Sequence, residues 1–152
     1  MNVQPEETLA LEQDSRFPSA PWKGFFLQPE IKGRSWMDLK LTSREGTMRG
    51  EGRDWVGPFI INGRYETATG KCWWSKRYLG KHDVAYQGYN EGKGIWGVWE
   101  IPPLWRGGFH IWPVAMGDPD IDKLSEVIEE PELVGVATSR EDQFFPDLEE
   151  SK

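Results

Sequence analysis

Between Cys72 and Gly88 the chain reads Cys-Trp-Trp-Ser-Lys-Arg-Tyr-Leu-Gly-Lys-His-Asp-Val-Ala-Tyr-Gln-Gly. Residues of one character recur at every second position on either side of a glycine-centred turn. That is the mark of a β-hairpin, here turning over Leu79-Gly80-Lys81. With Tyr78 facing His82, the antiparallel register pairs Lys76 with Val84, Trp74 with Tyr86 and Cys72 with Gly88. The opposite face pairs Arg77 with Asp83, Ser75 with Ala85 and Trp73 with Gln87. One face is aromatic with Lys76 and His82 upon it; the other carries an ion pair between strands.

The same alternation runs through residues 21–113, broken only by short Gly- and Pro-containing turns. It predicts eight strands: Trp22–Gln28, Ser35–Thr42, Thr47–Asp54, Pro58–Tyr65, Lys71–Tyr78, His82–Tyr89, Gly94–Ile101 and Gly108–Pro113. Links this short join each strand antiparallel to the next. Propagating the central register places Gly24 opposite Leu39, Asp54 opposite Phe59, Tyr86 opposite Gly97, and Trp99 opposite Ile111. A single apolar face punctuated by Gly24, Gly50, Gly52, Gly63, Gly88 and Gly97 survives through every hairpin. A one-residue slip anywhere would turn it outward. Eight strands sharing one inner face predict an all-β fold, an eight-stranded antiparallel up-and-down β-barrel. A two-sheet sandwich is the competing architecture, but its long crossing connections do not suit these links.

Charge divides the chain in the same places. Residues 21–113 hold nine acids against fourteen bases; residues 1–20 hold four acids and one base, and residues 114–152 twelve acids and three bases. The expected organisation is a flexible acidic segment over 1–20, with a turn of helix near Glu6–Gln13, then the barrel. A C-terminal extension over 114–152 follows, with a short helix over about 119–130 and an acidic tail. A single cysteine, Cys72, excludes an internal disulfide and any cysteine-cluster metal site. No apolar run is long enough to span a membrane as a helix, and no signal-peptide pattern opens the chain. The expectation is a soluble, cytoplasmic protein without membrane partners.

Two groups of residues could carry function. Asp54, Lys76, Tyr78 and His82 point inward at one end of the barrel, beside Trp74 and Trp99. A barrel mouth with apolar walls and a few convergent polar groups is a common ligand site. The same set also fits a buried polar plug, an Asp–Lys–Tyr network that closes the end and satisfies only itself. The second group faces outward: Trp73, Trp96, Val98 and Trp112, with Phe25 next door if the barrel closes. An exposed apolar patch of that extent marks a partner surface, and here it predicts a homodimer or homotetramer. Coverage by the C-terminal helix is the other explanation.

Other chemistries lack their groups. Gly50-Glu51-Gly52 lies inside a strand, without the helix a phosphate loop needs. His82 and His110 point to opposite faces, so no metal or other cofactor is expected. No nucleophile elbow is present. The bases are scattered and the tails acidic, so nucleic acid is not an expected partner.

The inward Trp22-Lys23-Gly24 on the first strand, the interior tryptophans and the tight eight-stranded meander resemble the calycin barrels, particularly the compact avidin and streptavidin type. The resemblance is architectural, covers 21–113 and does not include the biotin-contacting motif. It implies a ligand-capable barrel that pairs through outer sheet faces, and says nothing of chemistry. Three functions fit these residues. The first is a module binding a small apolar or aromatic molecule at the mouth. The second is a solid interaction barrel acting through its outer tryptophans. The third is a cyclase- or isomerase-type enzyme using Lys76 or His82.

Overall fold

The computed structural model describes residues 9–118. Eight strands run through them: β1 Ala20–Phe26, β2 Ser35–Arg44, β3 Thr47–Asp54, β4 Gly57–Tyr65, β5 Lys71–Tyr78, β6 Asp83–Asn90, β7 Ile95–Ile101 and β8 Trp105–Pro113. Each pairs antiparallel with the next, and β8 returns to β1, closing the barrel. One turn of 3-10 helix, Val114–Met116, follows. The helix expected over about 119–130 and the acidic tail lie outside the described residues. No helix among the described residues is long and apolar enough to cross a membrane.

The inner face is the one the alternation selects. Trp22, Phe26, Leu39, Phe59, Tyr65, Trp74, Tyr86, Trp99, Phe109 and Ile111 are all buried in one core. The register of β4–β5–β6 is as expected, with Phe59 beside Tyr78, Trp74 beside Tyr86 and Lys76 beside Val84. Elsewhere it differs by an even number of residues, which keeps each side chain on its face. Asp54 pairs with Gly57 rather than Phe59, because the turn is only Trp55-Val56 and Asp54 Oδ1 accepts the Val56 N–H at 2.9 Å. Leu39 pairs with Trp22 rather than Gly24. Tyr86 pairs with Trp99 rather than Gly97, and Trp99 with Gly107 rather than Ile111, β8 beginning at Trp105, three residues earlier than expected.

Glycine permits the tightest contact of the wall. Gly88 and Gly97 pair directly across β6 and β7. A Cβ on Gly97 would fall on the Gln87 carbonyl oxygen and the Gly88 Cα. Two adjacent inner positions without side chains let the sheet coil sharply there. The space inside is taken by Phe109, whose ring lies against both Trp74 and Tyr86.

Of the segment expected to be flexible, residues 9–19 are held against the barrel. Residues 1–8 lie outside the described residues, but 9–19 cross the end of the barrel where β1 starts. Leu11 bridges to Arg44. Phe17 is fully buried and stacks on Tyr65, with ring centroids 4.6 Å apart. Tyr65 Oη donates to Glu12 at 2.5 Å, and Asn90 donates to the Arg16 carbonyl at 2.7 Å. Arg16 in turn donates to the Asn90 and Thr67 carbonyls at 3.0 and 2.7 Å. A single phenylalanine among polar residues gives too little periodicity to reveal such a plug. Its partners are distant in sequence.

Candidate functional site

At the opposite end, β3, β4 and β5 bring Asp54, Phe59 and Lys76 together, and Lys76 organises the cluster. Its ammonium is fully buried. Nζ lies 2.6 Å from Asp54 Oδ2, 3.3 Å from Tyr86 Oη and 3.6 Å from Met37 Sδ. Four rings surround the charge: Phe59 at 4.3 Å from its centroid, Phe26 at 4.7 Å, Tyr78 at 4.9 Å and Tyr86 at 5.4 Å. Ring faces stabilise a desolvated cation by about 2 kcal/mol or more. Burial nonetheless dominates: it pushes the Lys76 ammonium down to about 8, against the opposing pull of Asp54. Burial also raises the Tyr86 phenol well above its usual range, with the Asp54 charge adding to the effect.

Asp54 is equally occupied. Oδ2 accepts from both Lys76 and Tyr78 Oη, the latter at 2.7 Å, while Oδ1 accepts the Val56 N–H. Three of the six mouth residues named from sequence thus form one packed cluster, and the other three each touch one of its rings. Asp54, Lys76 and Tyr78 form its polar core, and Trp74 stacks on Tyr86 at 5.3 Å, one ring removed. His82 lies just before β6, its ring 5.3 Å from that of Tyr78. Trp99 meets the cage ring Phe26 edge-on, while its Nε1 donates to the Leu27 carbonyl at 2.9 Å. Met37, Phe26, Phe59 and Tyr86 were legible as inner-face residues. Sequence does not reveal that all four converge on one ammonium.

The outer face divides. Phe25 and Trp112, expected as exposed interface residues, have no accessible surface. They form a second small core with Leu27, against which Trp96 packs. The Trp36 ring meets both edge-on, His110 lies against Trp112 at 4.9 Å, and Arg34 sits over Phe25 at 5.4 Å. These two residues are therefore covered within the chain itself. The expected patch shrinks to Trp73, Trp96 and Val98, each half-buried.

Those three residues line something the alternation does not predict. A groove of about 530 Å³ runs over the outer face of β4–β7, lined by Asn62, Trp73, Ser75, Ala85, Gln87, Val98 and Glu100. A second of about 470 Å³ is lined by Lys71, Gln87, Tyr89, Trp96 and Val98. Gln87 and Val98 belong to both, so the two form one trench along β6. Gly63 borders the first, and Gly88 and Gly97 the second. The trench therefore follows the strands that glycine allows to coil. Lys71 Nζ lies 5.6 Å from the Trp73 ring centroid. Among the described residues no group of three or more His, Cys, Asp or Glu side chains could hold a metal ion.

Topology and packing define the class: a closed, eight-stranded, antiparallel up-and-down barrel, consistent with a calycin-like fold in general. Comparison with protein-family models, with curated proteins and with solved structures found no match.

Proposed function

We propose that this protein is a non-enzymatic binding module whose working surface is the outer trench of β4–β7, with the barrel interior serving as a solid scaffold. The observation that carries this reading is the contrast between the closed mouth and the open outer wall. At the mouth both oxygens of Asp54 are occupied, and four rings close over Lys76 Nζ. On the outer wall, Trp73, Gln87 and Val98 line an open trench. A ligand at the mouth, or acid–base chemistry by Lys76, would require that cluster to open and expose a buried ion pair. A ligand in the trench requires no such opening. Of the calycin architectures, the avidin-like one adds pairing through an outer sheet face. Here that would use Trp73 and Trp96 and would compete with any other occupant of the trench.

Amide chemical-shift mapping of the 15N-labelled chain against a mixed library of small aromatic and polyhydroxylated molecules tests the proposal. Shifts are expected at Ser75, Ala85, Gln87 and Val98. Shifts confined to Tyr78, His82 and Val84 would overturn it and restore the mouth. Sedimentation of the wild type and Trp73→Ala addresses pairing: a dimer that Trp73→Ala dissociates would assign the trench to a second copy.

A further inference from the structure

Resting on the trench reading, we infer that its occupant is a neutral oligosaccharide. The geometry argues against three other classes of occupant. Extended peptides commonly bind by adding a strand to an open sheet edge. A barrel in which β8 pairs with β1 has no such edge, and every strand of it is paired on both sides. Recognition must therefore come from outward side chains alone. Single-stranded nucleic acid is held by aromatic platforms along a strongly cationic groove. The trench lining carries one cation, Lys71, and one anion, Glu100, in its two separate halves, and no net charge between them. Small apolar ligands favour concave sites that bury most of their surface. This site is a partly open groove on the outer wall rather than an enclosed cavity.

What the trench does offer is a cluster of rings adjoining neutral hydrogen-bonding groups. Trp73, Trp96 and Tyr89 supply flat apolar faces; Tyr89 is 47% exposed, and Trp73 and Trp96 are half-buried, so all three rings keep accessible surface. Gln87 stands among them on β6, and Asn62 and Ser75 pair beside Ala85 on β4 and β5 at the end of the trench next to Trp73. Each can both donate and accept. Pyranose rings present C–H faces that match the aromatic platforms and hydroxyls that match the amides. From Ala85 to Tyr89 the trench follows β6 for four residue steps, about 13 Å. That length suits a short oligomer better than a single ring. Both trench tryptophans are fixed by the barrel rather than by loops, so the platforms are pre-organised.

The test titrates the full-length 15N-labelled chain separately with maltohexaose, cellohexaose and chitohexaose, and then with a dT hexamer and a hexaglutamate peptide. The expected result is binding of at least one hexasaccharide, with shifts confined to trench residues, Ser75, Ala85, Gln87, Tyr89, Trp96 and Val98 among them. Its affinity should change by less than about twofold between roughly 50 and 500 mM salt, because a neutral ligand offers no charge for the ions to screen. Trp73→Ala should weaken it roughly tenfold or more, as loss of a ring anchor does. Gln87→Ala, at an exposed position, should weaken it while leaving the fold intact, so the inference stays open to refutation even if Trp73→Ala unfolds. Shifts at the same amides from the dT hexamer or the peptide, with none from any hexasaccharide, would overturn the oligosaccharide and keep the trench. Shifts confined to the Tyr78–Val84 end would overturn both.

Discussion

Replacing Lys76 by methionine isolates the interaction on which the closed mouth depends. In the native barrel the ammonium donates to Asp54 at 2.6 Å within a fully buried ring cage. Methionine is similar in length, so the cage stays filled and packing loss is small. The change leaves the Asp54 carboxylate buried with only the Tyr78 hydroxyl and the Val56 N–H as donors. Removing one partner of a buried pair costs about 3–5 kcal/mol. Thioether contacts with Phe26, Phe59, Tyr78 and Tyr86 should return about 1 kcal/mol of that. The net expectation is a loss of about 2–4 kcal/mol, read as a lower urea midpoint at unchanged m-value and a Tm lower by on the order of 10 °C. Asp54→Asn in the same chain removes the stranded charge and should recover at least half of the loss, about 1–2 kcal/mol, so the double variant loses clearly less than the sum of the two single losses. If Lys76→Met were as stable as the wild type, or the double variant lost the sum of the two single losses, the ion pair would not be what holds the mouth shut.

The same pair should appear in the pH dependence. Lys76 releases its proton near 8 in the folded protein and at 10.5 when unfolded. The unfolded chain therefore binds more protons between those values, and stability should rise with pH across that window. Cys72, pushed up to about 12 by burial, acts in the opposite direction above pH 9. The stability difference between wild type and Lys76→Met cancels that contribution and should grow by about 3 kcal/mol from pH 8 to 10.5; a flat difference would place the Lys76 titration at its ordinary value. At the other end, Phe17→Ala should cost about 3–5 kcal/mol in urea denaturation, because the ring is fully buried against Tyr65. A change below about 0.5 kcal/mol, as for an ordinary surface site, would mean that residues 9–19 do not plug the barrel. Gly97→Ala should destabilise by about 3 kcal/mol or more, since its Cβ meets backbone atoms of Gln87 and Gly88 that only strand movement could relieve; near-normal stability would show that β6 and β7 are less closely apposed.

How much of the fold and site was legible in the sequence depends on whether the deciding contact is local. Alternation from Trp22 to Pro113 determines which face each residue takes, and it does so independently of loop length because every register difference is even. The registers themselves depend on turns. Leu79-Gly80-Lys81 announces its turn through Gly80, which adopts φ 75°, whereas the two-residue turn after Asp54 depends on a side-chain hydrogen bond that alternation does not encode. Lys76, Asp54 and Tyr78 were legible as neighbours because adjacent strands carry them to one end. Met37 and Phe26 reach the same ammonium from across the barrel, and only closure brings them there. The trench was half legible: Trp73, Trp96 and Val98 were placed outward correctly, but concavity arises from how the sheet coils over Gly88 and Gly97. Phe25 and Trp112 were likewise placed on the outer face, and their burial comes from Trp36, His110 and Arg34, contacts that cross three strands.

Native mass spectrometry of the purified chain, sprayed gently and then under denaturing conditions, tests the solid interior most directly. The expected result is the mass of the chain or of its oligomer alone, because the interior is occupied by its own side chains and the open trench releases its occupant on buffer exchange. An added mass that survives buffer exchange, disappears on denaturation and is unaffected by Trp73→Ala would place a ligand inside the barrel and contradict the solid interior.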